Sequence, residues 1–276
     1  MIERPRQWWT HSGVRLRRAS QRPGRWNWLF VPGGPGLGSE SLAGLVRTAA
    51  VPGTAWLLDL PGDGSNTDPP TTPRDPYALW PAVLTEAAEA LPEVVVVGHS
   101  TGGMFALSTP ALEPHLAGLV LIESAPHSGW QSAFAAHALA HPLPGVAEAA
   151  TAYAHTPSDA TLRALTLAAA PWNFTPASLT AGRALLEALP YNNAATTWAS
   201  AHFDDTYRAR WAPRTLPTLI ISGTDDHVVD QSLWRTAPSF NGPHILHRLI
   251  SAAGHFPWLD APQAVRAAFT EFEKGL

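Results

Sequence analysis

Short apolar runs alternate with stretches of helical spacing along most of the chain. The run at residues 94–97 is apolar on both faces, as a central parallel strand must be. A β-hairpin is predicted over residues 8–20. Further strands are predicted at residues 26–31, 55–59, 94–97, 119–122, 216–222 and 245–250, and helices at residues 40–50, 77–91, 101–110, 231–237 and 261–274. Strands that alternate with helices favour an α/β fold with a mostly parallel central sheet flanked by helices.

The pattern changes after about residue 125. Strand signals stop there, and alanine-rich helical stretches follow, separated by prolines at positions 142, 144, 157, 171, 176 and 190. The alternation of strands and helices resumes after about residue 212. We therefore predict an α/β core made of residues 1–124 and 211–276. Residues 125–210 are predicted to be a helical cap, inserted above the carboxyl edge of the sheet.

Composition narrows the classes of function. Of the 276 residues, 45% are apolar and 14% are charged, which supplies a buried core and excludes a disordered chain. A net charge of −4 without a basic run argues against nucleic-acid binding, and the absence of cysteine excludes thiolate chemistry. Residues 1–13 lack the apolar run of a signal peptide, and no stretch is long and apolar enough to span a membrane. We expect a cytoplasmic protein that acts on a small-molecule substrate, without a nucleic-acid or membrane partner.

The strongest chemical signal is the G-x-S-x-G motif at residues 98–102. It follows the most apolar predicted strand and precedes a predicted helix, which is the context of a nucleophile elbow. Such a turn strains the backbone of the serine, needs small neighbours, and projects the hydroxyl group over the edge of the sheet. The amino end of the following helix favours a developing negative charge. Ser100 is therefore the predicted nucleophile.

A serine nucleophile needs a base, and His255 is the best placed of the 12 histidines because it follows the last predicted strand. In enzymes built around such an elbow, the chain order is serine, acid, histidine. The acid is then expected after the strand that ends at residue 222. Asp225 and Asp226 are adjacent candidates there. Neighbouring carboxylates in a loop cannot both face His255.

A loop rich in glycine and proline, residues 32–38, follows an early strand. A dinucleotide-binding loop is one interpretation, with Asp59 as the ribose contact. The spacing of Gly34, Gly36 and Gly38 does not match that motif, however, and the two prolines lack amides that such a loop uses. We favour an oxyanion hole in which the backbone amides of Gly34 and Thr101 are the donors, and we expect no cofactor.

These segments together resemble the α/β-hydrolase fold superfamily, over nearly the whole chain. The resemblance implies that Ser100 is the elbow serine. A G-x-x-D-x-V-V segment at residues 223–229 implies Asp226 rather than Asp225 as the acid. An A-G-H-F-P-W-L segment at residues 253–259 implies His255 as the base.

Two further features belong to the same resemblance. Residues 33–36 look like the H-G-G-P-G oxyanion loop of the proline iminopeptidase branch, whereas Pro32 replaces the histidine of that branch and the elbow differs from its usual sequence. Glu123 ends the strand after the elbow helix, where some members of the superfamily place their acid. It is therefore the second candidate for the acid.

The resemblance implies hydrolysis of a small-molecule ester, thioester or amide through an acyl-enzyme, by a Ser-His-Asp triad. An aminopeptidase of the proline iminopeptidase type is the main alternative. From other classes, the same fold also serves cofactor-independent dioxygenases and non-catalytic ligand receptors.

Side chains of the predicted cap are candidates for the substrate pocket. Trp130, Trp172 and Trp198 are expected to line it, because such pockets are mostly apolar. His137 and His141 have the i, i+4 spacing of a helical metal pair, but no glutamate base or acidic third ligand accompanies them. We expect them to be surface residues and predict no metal site.

Overall fold

The computed structural model describes residues 5–71 and 75–276, and its strands form an eight-stranded sheet. The strands are β1 (Gln7–Trp9), β2 (Arg15–Gln21), β3 (Asn27–Val31), β4 (Thr54–Asp59), β5 (Val94–His99), β6 (Leu116–Ile122), β7 (Thr218–Gly223) and β8 (Ile245–Ile250). Their order across the sheet is β1-β2-β4-β3-β5-β6-β7-β8. The pairs β1–β2 and β2–β4 are antiparallel, and every pair from β4 to β8 is parallel. The predicted hairpin and the mostly parallel sheet are confirmed.

Strand β5 lies inside the sheet between β3 and β6, and all of its residues are buried. Val95 and Val97 pack into the apolar core on one face of the sheet, and Val94 and Val96 into the core on the other. Successive residues of a strand point to opposite faces. A continuous apolar run is therefore what a strand covered on both sides requires.

Helices cover both faces of the sheet. They are α1 (Ala43–Ala49), α2 (Trp80–Glu89), α3 (Thr101–Leu107), α4 (Trp130–Ala140), α5 (Val146–His155), α6 (Asp159–Ala168), α7 (Ala170–Asn173), α8 (Leu179–Glu187), α9 (Asn193–His202), α10 (Pro257–Asp260) and α11 (Pro262–Glu273). Helices α1, α10 and α11 pack on one face, and α2 and α3 on the other.

The structure differs from the predicted helices in a few places. The first three residues of the predicted helix at residues 40–50 belong to a 3-10 turn, Ser39–Leu42, that leads into α1. The predicted helix at residues 231–237 is also a 3-10 helix, Gln231–Thr236. Helix α2 begins at Trp80 rather than at residue 77.

Six helices, α4 to α9, follow one another between β6 and β7. Residues 125–210, all of which the structure describes, contain no strand, only a single β-bridge between His127 and Arg208. We call residues 125–210 the helical segment. Buried side chains such as Phe174 and Leu186 join it to the core. Its division from the core as a separate cap stays a prediction.

Among residues 5–71 and 75–276, no helix combines the length and the apolar character that are needed to cross a membrane.

Candidate active site

Ser100 lies at a tight turn between β5 and α3. Its backbone has φ 51° and ψ −125°, a region that residues other than glycine rarely adopt. The Ser100 amide donates a hydrogen bond of 2.8 Å to the carbonyl of Ile122 on β6, which holds the strained turn in place. A Cβ atom placed on Gly102 would lie 2.3 Å from the carbonyl oxygen of Val31, so only glycine fits after the turn. The structure thus has the local geometry of a nucleophile elbow.

The structure brings Asp226 and His255 together. Asp226 Oδ2 lies 3.0 Å from His255 Nδ1, and the carboxylate is fully buried. Asp226 Oδ1 accepts the amides of Val228 and Val229 at 2.9 and 3.1 Å. Burial acts to raise the pKa of Asp226, but the charge of His255 and these hydrogen bonds outweigh it and hold the pKa below its ordinary value. Asp226 is therefore an ionised partner that orients the imidazole and leaves Nε2 available.

The neighbouring carboxylate, Asp225, lies elsewhere. Its backbone amide donates to the carbonyl of Ala253, and its exposed carboxylate accepts a hydrogen bond of 3.0 Å from Thr224 Oγ1. Asp225 makes no hydrogen bond or ion pair with His255 in the described chain. Of the two adjacent aspartates, Asp226 is thus the one that bonds to His255.

His99, the residue before the candidate nucleophile, connects the elbow to the loop at residues 251–256, which we call the histidine loop. Its Nε2 donates a hydrogen bond of 2.8 Å to the backbone carbonyl of His255, and the two rings lie 4.9 Å apart. Burial, followed by the charge of His255, lowers the pKa of His99 to about 3, so its ring is neutral. Sequence reasoning missed this contact because the residue before the serine is unspecified in the motif.

No hydrogen bond joins Ser100 Oγ to His255 among those that the described residues make. Such bonds often tighten only when a substrate is bound. The contact between His99 and His255 nevertheless places the imidazole next to the elbow.

The glycine-rich loop lies directly against the elbow. We call residues 33–38 the oxyanion loop. A Cβ atom placed on Gly33 would lie 2.6 Å from Ser100 Cβ. The candidate donors, the amides of Gly34 and Thr101, donate no hydrogen bond to another group of the described chain, so both can donate to a substrate oxygen. The arrangement can stabilise an anion next to Ser100.

A buried carboxylate, that of Asp63, accepts a hydrogen bond from the oxyanion loop. Asp63 Oδ1 accepts the Gly36 amide at 2.8 Å and the Gly64 amide at 2.9 Å. Burial raises the pKa of Asp63 to about 7. The two amides act against this shift, and the nearby carboxylates of Asp59 and Glu40 add to it. Sequence reasoning did not single out Asp63, which lies in a loop without a motif of its own.

Glu123, the second candidate for the acid, is fully buried at the end of β6, with φ 45°. Its carboxyl group interacts with the Asp226 carboxylate and with the backbone of Gly223. Burial, followed by the charge of Asp226, raises the pKa of Glu123 well above its ordinary value. Asp226 thus occupies the position that faces His255, and Glu123 lies behind it as a neutral acid.

The three tryptophans proposed for the pocket have different surroundings. Trp130 packs with Met104 of α3 and with Val229. Val229 lies in the loop that contains Asp226, residues 224–230, which we call the acid loop. Trp172 belongs to α7, where the neighbouring carbonyl of Asn173 accepts the backbone amide of His255 at 3.0 Å. Trp198, which belongs to α9, instead packs against Trp80 of α2.

The ring contacts of Trp198 are with neighbouring aromatic side chains. They are Tyr77 at 6.2 Å, Trp80 at 5.8 Å and a stacked His202 at 5.3 Å between ring centroids. The pocket itself stays a prediction.

The histidine pair of α4 forms a stack. The rings of His137 and His141 lie 4.4 Å apart, and His227 of the acid loop stacks on His137 at 4.2 Å. Burial, followed by the two neighbouring rings, lowers the pKa of His137. Across residues 5–71 and 75–276, no group of three or more histidine or acidic side chains is arranged to hold a metal ion.

Comparison with known proteins agrees with this fold. The chain is similar to a proline iminopeptidase-related protein from Thermus thermophilus, with a TM-score of 0.72, 21% identity and 99% of each chain covered. It is also similar to an esterase from Thermogutta terrifontis, with a TM-score of 0.67, 17% identity and 97% of each chain covered. At these identities the likeness extends to the fold.

A curated relative is similar in sequence. The pimeloyl-[acyl-carrier protein] methyl ester esterase of Xanthomonas axonopodis pv. citri (strain 306) is 29% identical over 235 residues, which cover 78% of this chain and 83% of the relative. A family model described as the alpha/beta hydrolase family matches residues 28–268. The chain therefore belongs to the alpha/beta hydrolase family, as its motifs implied.

Proposed function

We propose that this protein is a serine hydrolase that cleaves a carboxylic ester of a small molecule through an acyl-enzyme. The observation that carries the proposal is the buried contact between Asp226 and His255, tied by His99 to the turn that presents Ser100. The names of the relatives support an ester as the substrate class.

The proposed reaction begins when Ser100 Oγ attacks the ester carbonyl carbon and its proton passes to His255 Nε2. The carbonyl oxygen becomes an oxyanion, which accepts hydrogen bonds from the amides of Gly34 and Thr101. Asp226 stabilises the imidazolium that forms. The imidazolium then gives its proton to the leaving alkoxide as the C–O bond breaks, and an acyl-enzyme remains.

Water completes the cycle. His255 removes a proton from the water molecule as it attacks the acyl carbon, and the second oxyanion uses the same two amides. Collapse releases the carboxylic acid and returns the proton to Ser100 Oγ. No group beyond the side chains and amides named takes part.

The helical segment supports an ester rather than a peptide substrate. An aminopeptidase needs a carboxylate that pairs with the ammonium group of its substrate, because an unpaired buried cation is costly. Of the acidic side chains in residues 125–210, Asp204 is half-buried and the others, Glu148, Asp159, Glu187 and Asp205, are exposed. We propose that the helical segment is a cap over the site, with Trp130 and Trp172 beside an apolar acyl group.

The test is covalent labelling with a fluorophosphonate, followed by assays with p-nitrophenyl esters of increasing chain length and with an aminoacyl amide. Ser100→Ala should abolish labelling and lower ester turnover by about 10⁴-fold or more, because binding and the oxyanion hole leave only a residual rate. Ser108→Ala is the matched control, because this serine ends the same helix and its hydroxyl bonds only to the Met104 carbonyl.

Retained labelling in Ser100→Ala would exclude Ser100 as the nucleophile. Preference for the aminoacyl amide would favour the aminopeptidase. Oxygen consumption, or ligand binding without turnover, would favour a dioxygenase or a receptor.

A further inference from the structure

Helix α9 of the helical segment begins directly on the oxyanion loop. The Asn192 amide donates a hydrogen bond of 2.8 Å to the Gly36 carbonyl, and Thr196 Oγ1 donates one of 2.7 Å to the Pro35 carbonyl. A Cβ atom placed on Gly36 would lie 2.4 Å from Thr196 Oγ1. Any side chain at position 36 would therefore collide with the helix.

The loop is held from its other side at the same residue. The Gly36 amide donates to Asp63, and Asn192 Nδ2 donates a hydrogen bond of 2.6 Å to the carbonyl of Gly62 in the Asp63 loop. Gly36 is therefore bonded through its amide to the core and through its carbonyl to the helical segment. Helix α9, the oxyanion loop and the Asp63 loop form one hydrogen-bonded unit.

This unit anchors the chain close to the Gly34 amide. Peptide groups are planar and proline fixes its own φ, so anchoring the Pro35 and Gly36 carbonyls restricts the few torsions that remain between them and the Gly34 amide. A donor of an oxyanion hole has to lie about 2.7–3.1 Å from the position of the anion, and small displacements are costly. The loop consists largely of glycine and proline, and its leucine, Leu37, packs on the apolar core and has no polar side-chain group that could fix the backbone.

We propose that Thr196 is a positioning residue for the oxyanion hole. This inference rests on the proposed function. Thr196 touches neither the substrate nor Ser100; its hydroxyl fixes the Pro35 carbonyl and thereby the Gly34 amide. The helical segment then contributes to the stabilisation of the transition state and not only to the binding of the substrate.

The test compares three variants in ester hydrolysis. Thr196→Val has the same shape but no hydroxyl and should lower kcat by between about tenfold and a hundredfold, with KM nearly unchanged. Thr196→Ser keeps the hydroxyl and should restore kcat. Thr197→Val is the matched control, because this neighbouring hydroxyl is exposed and reaches only Asn193 Oδ1, at 3.4 Å.

The rate of fluorophosphonate labelling is the second readout. This reaction also places negative charge in the oxyanion hole, so Thr196→Val should be labelled more slowly by a similar factor. Thermal unfolding of each variant checks that the fold is intact. If Thr196→Val does not fold, Thr196→Ala, which is smaller and also lacks the hydroxyl, is measured in its place.

The outcomes separate this inference from the proposed function. A wild-type protein that is neither labelled nor active would refute the proposed function, whatever the variants do. An active wild type with unchanged kcat and labelling in Thr196→Val would overturn the inference alone. A loss in Thr196→Ser as large as in Thr196→Val, or an effect confined to KM, would also overturn it.

Discussion

Two buried carboxyl groups lie next to each other behind His255, and their environments give them different charges. The pKa of Asp226 is lowered by His255 and by hydrogen bonds from amides, whereas the pKa of Glu123 is raised by burial and by Asp226. Two neighbouring carboxylates in a dry site cannot both ionise. The pair therefore carries one negative charge, which resides on Asp226 where it faces the imidazole.

Asp226→Asn should lower kcat/KM by about 10³- to 10⁴-fold, because an amide neither stabilises the imidazolium nor holds its tautomer. Asp225→Asn is the matched control on the neighbouring position. Because its carboxylate is exposed and bonds to Thr224, it should stay within about twofold of the wild type. Steady-state ester hydrolysis measures both variants. The reverse ranking would transfer the role of the acid to Asp225.

Glu123→Gln should leave kcat/KM within about threefold of the wild type near neutral pH, because it exchanges one neutral group for another of the same shape. The measurement is the pH profile of ester hydrolysis for this variant beside that of Asp226→Asn. A loss as large as that of Asp226→Asn would show that Glu123 carries the catalytic charge.

At the scale of elements, the candidate site combines the carboxyl ends of several parallel strands, as is usual in open α/β sheets. The elbow follows β5, the oxyanion loop follows β3, the acid loop follows β7 and the histidine loop follows β8. Loops are the more mobile parts of a fold. Here a few long-range hydrogen bonds, from His99 to the histidine loop and from the oxyanion loop to Asp63, join them into one arrangement.

At the scale of the whole molecule, the helical segment contacts two of these loops at once. The carbonyl of Asn173 accepts the backbone amide of His255, and Thr196 bonds the oxyanion loop. A displacement of the helical segment would thus change the surroundings of His255 and of residues 33–38 together. The geometry of these two loops is linked to the position of the helical segment through these contacts.

The pH dependence of global stability has opposing contributions from buried groups. The pKa of Asp63 is about 7 in the folded protein against an ordinary value of 3.8, so folding is favoured below about pH 4 and this contribution is lost as pH rises to about 7. The pKa of His99 is about 3 against 6.5, so its contribution is present above pH 6.5 and is lost as pH falls. The two partly cancel in the wild type.

Asp63→Asn should isolate the first contribution. The asparagine does not titrate, so the free energy of unfolding of the variant should gain on that of the wild type by up to about 1.4 kcal/mol per pH unit between pH 4 and 7. The difference should level off above about pH 7. Denaturant unfolding at several pH values measures it, and a difference that does not change with pH would contradict the assigned pKa of Asp63.

The sequence by itself determined the features that depend on neighbouring residues. Periodicity of apolar positions predicted the parallel sheet, because alternation and spacing reflect which faces of a strand or helix are buried. The G-x-S-x-G motif predicted the elbow, because only small residues fit around a turn with the φ and ψ of Ser100. The resemblance of residues 223–229 and 253–259 to segments of the superfamily indicated Asp226 and His255.

The tertiary structure decided the contacts between distant residues. His99 meets a carbonyl 156 residues away, Asp63 bonds an amide 27 residues away, and Thr196 reaches a carbonyl 161 residues away. None of these side chains belongs to a periodic pattern or to a specified motif position. Their partners are backbone groups, which every residue carries. Only the assembly of the sheet and the docking of α9 therefore determine which of these groups meet.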